Sequence, residues 1–98
     1  MLLKELLKDL ELKEKDFGEL KNKEIIASRS HEFGYIVILD DFTSLFIYAF
    51  MITKLKPFNN IEDKMDLKKL IKTIDKSGKI LNKKKYEEFK LYVLIKQI

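Results

Sequence analysis

The chain has 98 residues, 46% of them hydrophobic, and no cysteine. That length holds one domain with a modest core, and disulfides, thiol catalysis and thiolate metal sites are excluded. The net charge of +4 is uneven: residues 1–53 carry 7 Lys+Arg against 10 Asp+Glu, whereas residues 54–98 carry 13 against 6.

In chain order, Leu2, Leu3, Leu6, Leu7 and Leu10 recur at helical spacing and form one apolar stripe. Asp9 with Lys13, and Glu11 with Lys15, are favourable i,i+4 pairs. The spacing predicts a first helix over 2–16, with Gly18 as the left-handed residue that ends it. The charges at Lys4, Glu5, Lys8 and Asp9 leave no secretory apolar region. No apolar run approaches the roughly 20 residues of a membrane span. A soluble, cytoplasmic protein is expected.

The most apolar stretch is 34–56, broken at Asp40 and Asp41 into the runs 35–39 and 45–52. Ile, Val, Tyr, Phe and Thr dominate it, and such side chains suit a pleated surface. Asp40, Asp41, Thr43 and Ser44 supply turn chemistry through side-chain bonds to nearby backbone. With a short strand at about 23–29, this predicts an antiparallel meander of three strands, 23–29, 34–40 and 44–54; a buried helix over 42–54 is the alternative. In the last strand Leu45, Ile47, Ala49 and Met51 would face one way, and Phe46, Tyr48, Phe50 and Ile52 the other.

Beyond Pro57, Asn60 is a suitable N-cap, with Glu62 and Asp63 in the first turn. Leu67, Leu70, Ile71 and Ile74 fall on one helical face, predicting a second helix over 61–76 that Gly78 terminates. In the tail, Phe89, Leu91, Val93 and Ile95 alternate with Lys90, Tyr92, Leu94 and Lys96. Alternation favours a strand, which is the expectation here; Tyr86, Phe89, Val93 and Lys96 also fit a helix, though less well. The fold class expected is thus α+β, one compact domain over 1–98 in the order α-β-β-β-α-β: an antiparallel meander packed by two helices, with a C-terminal strand or helix.

The sequence offers four short resemblances to chemical sites, and each fails at a necessary residue. Asp16-Phe17-Gly18 spells the magnesium tripeptide of kinases without the remaining kinase elements. Residues 73–84 resemble a calcium loop, but Thr73 and Lys84 stand at its first and twelfth positions, where oxygen ligands belong. His31, the only histidine, lies beside Ser28, Arg29 and Ser30, with Asp40 and Asp41 at the far end of the expected hairpin, roughly 20 Å away at about 3.3 Å per residue. Asp40, Asp41 and Glu32 could gather a hard cation, yet turn formation already explains the aspartates. No cofactor, metal or small-molecule substrate is expected, and no enzyme activity.

Two surfaces remain. The Phe46, Tyr48, Phe50 set would be an exposed aromatic patch if both helices packed on one side of the sheet, and such patches mark partner or dimer interfaces. Lys79, Lys83, Lys84, Lys85 and Tyr86, followed by Phe89 and Tyr92, interleave cations with aromatics, a pattern suited to polyanions, acidic partners or single-stranded nucleic acid. The competing reading is a solvated lysine loop leading into the core. Arg29 is the only arginine among the 20 cations, and lysine lacks the planar fork that reads base edges. The expected function is a non-catalytic interaction module, a small inhibitor or adaptor that binds another protein. A phage or mobile element could encode such a chain against a host nucleic-acid enzyme. The alternative is a nucleic-acid-binding protein that uses the lysine-rich C-terminal half, and a homodimer is the other occupant considered.

Overall fold

The β-branched run at the centre of the chain forms strands. The computed structural model describes residues 1–31, 34–48, 52–54 and 61–95, with backbone alone for His31, Tyr48, 52–54 and 61–66. Strands β1 (Ile25–His31), β2 (Gly34–Leu39), β3 (Ser44–Tyr48) and β4 (Ile52–Lys54) follow one another, and a two-residue β5 (Lys79–Ile80) lies on the far side of β1. The sheet order is β4-β3-β2-β1-β5, antiparallel at every pairing. Helix α1 (Leu3–Asp9) and a 3-10 segment (Glu14–Asn22) precede the strands; α2 (Ile61–Ser77) and α3 (Lys83–Ile95) flank β5. The α+β class and the helix–meander–helix order are as the sequence implies.

Alternation sorts the sheet's side chains between two apolar layers. Val37, Leu39, Leu45 and Ile47 are buried with Leu3, Leu6 and Leu7 of α1 and with Phe17. Ile38 faces the other way and joins Leu67, Leu70 and Ile74 of α2 and Tyr86, Phe89 and Val93 of α3. The sheet is therefore covered on both sides, which is why its strands read as continuously apolar. A bulge between Ile25 and Ala27 turns the neighbours Ile26 and Ala27 to the same face. The Ile26 carbonyl accepts the N–H groups of Leu81 and Asn82 at 2.9 and 3.0 Å, which fixes the chain entering α3.

Three expectations need correction. The first helix ends at Asp9 rather than near residue 16. Continued, it would turn Leu12 to the solvent side, about 140° from Leu7 at 3.6 residues per turn. Instead Glu11 adopts φ 59°, and the N–H groups of Glu11 and Leu12 close onto the carbonyls of Lys8 (3.1 Å) and Leu7 (2.9 Å). This left-handed cap brings Leu12 back against the core. Gly18 has positive φ, but it lies within the 3-10 segment at φ 55°, ψ −133°.

The expected third strand, 44–54, is two strands. β3 and β4 pair with each other at Leu45↔Lys54, Phe46↔Thr53 and Ile47↔Ile52, so the chain doubles back between Tyr48 and Ile52. The helical alternative for this stretch is not realised. The tail, expected as a strand with a helix as the poorer fit, is the helix α3. The second helix runs as expected, while its proposed N-cap, Asn60, lies outside the described residues.

The β2–β3 turn is built by the residues that predicted it, with one addition. Asp41 accepts the Thr43 N–H at 3.0 Å, and Phe42 N–H donates to the Leu39 carbonyl at 2.8 Å. Phe42 itself stands at φ 69°, the left-handed position that glycine usually fills in a hairpin of this kind. Its ring lies 5.5 Å from Phe89 and 5.2 Å from Tyr92 of α3.

Candidate functional site

The lysine cluster of the sequence is the first turn of α3. Asn82 caps that helix, taking the Lys85 N–H on Oδ1 at 3.1 Å while its carbonyl takes the Tyr86 N–H at 2.9 Å. Lys83, Lys84 and Lys85 follow, all exposed, at the positive end of the helix dipole where carboxylates are favoured. Lys85 is partly offset by Glu88 at 3.6 Å. Lys79 stands exposed in β5 at the sheet edge, where a very short strand bearing lysine discourages further strand addition.

Tyr86 does not belong to this surface. It is 0% exposed and Phe89 1%, because the helix turns residues 86, 89 and 93 inward together. The Tyr86 hydroxyl donates to Asp75 Oδ1 of α2 at 2.8 Å, with the Ile71 carbonyl oxygen 3.4 Å away. Lys90 Nζ sits 5.1 Å over the Tyr86 ring and reaches Asp75 at 3.7 Å and Glu87 at 3.1 Å. The group ties α2 to α3, so the expectation that Tyr86 contacts a polyanion gives way to a structural role. Tyr92 is half-buried against Phe42.

Burial, and after it the hydrogen bond and charge of Asp75, push the Tyr86 phenol well above its ordinary value of 10. The folded chain thus holds this proton more tightly than the unfolded chain does. The associated stability is complete below pH 10 and is lost as pH rises beyond it. Tyr86→Phe should cost about 1 kcal/mol at neutral pH through the lost hydrogen bond. It should also flatten the fall in stability above pH 10; urea titrations across that range check both.

The aromatic face is only partly within view. Phe46 pairs with Ile36 in the sheet and is half-buried, while its neighbours Leu45 and Ile47 lie in the α1 layer. Tyr48 pairs with Gly34 through the backbone, and Phe50 lies outside the described residues. Helices cover both sides of the sheet, so the arrangement that would have left this face open is not the one adopted.

Two surfaces emerge that sequence reasoning had not separated. On α3, Leu91, Leu94 and Ile95 are 55%, 58% and 57% exposed, opposite the buried Phe89 and Val93. Their i, i+3, i+4 spacing, set beside Phe89 and Val93, was the available signal of a helix apolar on both sides. On α2, Lys68, Lys69, Lys72 and Lys76 are exposed, opposite the buried Leu67, Leu70 and Ile74. Ion pairs among the described residues engage only Lys85 and Lys90 of the lysines.

At the other end of β1, His31 pairs with Gly34, whereas Leu39 and the Asp40–Asp41 turn close the opposite end of β2. The hairpin thus separates the histidine from the two aspartates. No protein-family model, no curated protein and no solved structure matches this chain.

Proposed function

We propose that the chain is a non-catalytic protein-binding module, a small inhibitor or adaptor, that docks through the outer side of α3 at its C-terminal end. The observation that carries this reading is the exposure of Leu91, Leu94 and Ile95 on a helix whose opposite side is already core. From Leu91 to Ile95 the helix is apolar on both sides. Exposed apolar patches mark interaction surfaces, and anchors at this spacing are how one helix fills an apolar groove in a partner. Each such side chain gains about 1.5–3 kcal/mol on full burial, a sizeable share of a micromolar affinity. A host nucleic-acid enzyme is a partner of the kind a phage or mobile element would target with such a module.

The test is a paired substitution, Leu91→Gln with Ile95→Gln, in the tagged chain. The wild type should retain a defined partner from its source cell at moderate and at high salt. The variant should lose that partner by tenfold or more with an unchanged melting curve. Equal retention by the variant would remove α3 from the interface. Sedimentation of the purified chain distinguishes the other occupant: a dimer that the same substitutions dissociate makes a second copy the partner.

A further inference from the structure

We infer that the outward side of α2 and the turn into α3 form a sequence-independent contact for the phosphate backbone of double-stranded nucleic acid. This stands on a different surface from the docking face of α3. Lys68, Lys72 and Lys76 follow each other at i, i+4 and i+8 on the exposed side of α2, a row with a step of about 6 Å. The row leads to Lys79 in β5 and then to Lys83 and Lys84 in the first turn of α3, all exposed. None of these six forms an ion pair among the described residues. Between residues 67 and 86 the only carboxylate is Asp75, engaged by Tyr86 and Lys90; Glu87 and Glu88, one turn beyond Lys83 and Lys84, pair with Lys90 and Lys85.

A run of positive charge in which lysines outnumber carboxylates is complementary to a regular polyanion. It differs from a protein interface, which needs an apolar centre. The large apolar side chains along this path are Ile80 and Leu81, 42% and 38% exposed. Their segment is held to the sheet by the Leu81 and Asn82 N–H bonds to Ile26, so it is not a free amphipathic helix of the type that enters a bilayer surface. Single strands are bound by stacking bases on aromatic rings. Here Tyr86 and Phe89 are buried and Tyr92 lies against Phe42, which favours a duplex. The cations are lysines, which meet phosphate as point charges, so the contact positions without reading sequence.

The experiment is fluorescence anisotropy with two labelled DNA duplexes of unrelated sequence, from about 50 to 200 mM salt. Both duplexes should bind with similar affinity, and log K should fall against log salt with a slope of about −4 to −5 if four to six phosphates are neutralised. The triple variant Lys72→Gln, Lys76→Gln, Lys83→Gln should lose about one unit of slope per lysine removed with its melting curve unchanged. Should it fail to fold, Lys68→Gln with Lys79→Gln serves the same purpose. Leu91→Gln should leave duplex binding unaltered, and the triple variant should leave retention of the protein partner unaltered, so either reading can fail alone. No duplex binding at 50 mM salt overturns the inference, as does a slope unchanged in the variants. Tighter binding to a single strand, or binding only to anionic vesicles, would equally overturn it.

Discussion

Phe89→Ala should destabilise the fold by about 3–5 kcal/mol, the usual loss for a buried phenylalanine, against a total of about 5–15 kcal/mol for a domain. Phe89 is fully enclosed, with its ring centroid 5.5 Å from Phe42 and 6.4 Å from Tyr86, and neighbours so fixed do not collapse into the space left. Leu91→Ala is the internal control. In a strand the two residues would share a face and both would be costly. On α3 they lie on opposite sides, and Leu91→Ala should move stability by no more than about 0.5 kcal/mol. Urea unfolding of the two variants checks the contrast, and equal losses would contradict the placement of α3.

Gly78→Ala should cost about 2 kcal/mol or more, although alanine is the better helix former, because this is an overpacking effect. A Cβ at position 78 would stand 2.8 Å from the Cα, Cγ2 and carbonyl oxygen of Ile74. Two of those atoms are backbone, and Ile74 is itself 1% exposed, so neither partner can yield cheaply. The Gly78 N–H also closes on the Ile74 carbonyl at 2.7 Å, which holds the close approach in place. Thermal unfolding measures the loss; a melting temperature equal to wild type would mean that the end of α2 relaxes freely. The glycine ends the helix as its position implies, but it is required for proximity to Ile74.

What the sequence made legible follows from features with one period and one face. Leu67, Leu70 and Ile74 repeat at helical spacing because a single side of α2 meets the sheet. Asp41 announced the turn through the local bond it makes. Both faces of β2 and β3 are apolar because helices cover both sides, whereas reading Phe46, Tyr48 and Phe50 as an open patch required both helices on one side. The tail misled because α3 is apolar inward at Phe89 and Val93 and outward at Leu91 and Ile95. Such a two-sided helix imitates strand alternation. The β3–β4 reversal gave no signal, since the residues joining them carry no glycine, proline or other turn former. The end of α1 was hidden for a related reason: a glutamate, not a glycine, takes the left-handed cap. Of the candidate site, the lysines were legible by composition alone. The burial of Tyr86 was not, because it depends on Asp75 reaching across from another helix.

Phe42 carries a consequence for the order in which the chain folds. A bulky residue at φ 69° works against early closure of the β2–β3 turn, since that conformation costs about 1–2 kcal/mol for an L-residue other than glycine. What offsets the cost is ring contact with Phe89 and Tyr92, which belong to α3, far along the chain from the hairpin. The hairpin, local in sequence, thereby depends on a contact of long loop closure, the kind that is reached late. During synthesis the central strands therefore leave the ribosome before the element that fixes their turn. In that interval their apolar edges are open to pairing with other chains, a hazard that ends only when α3 docks.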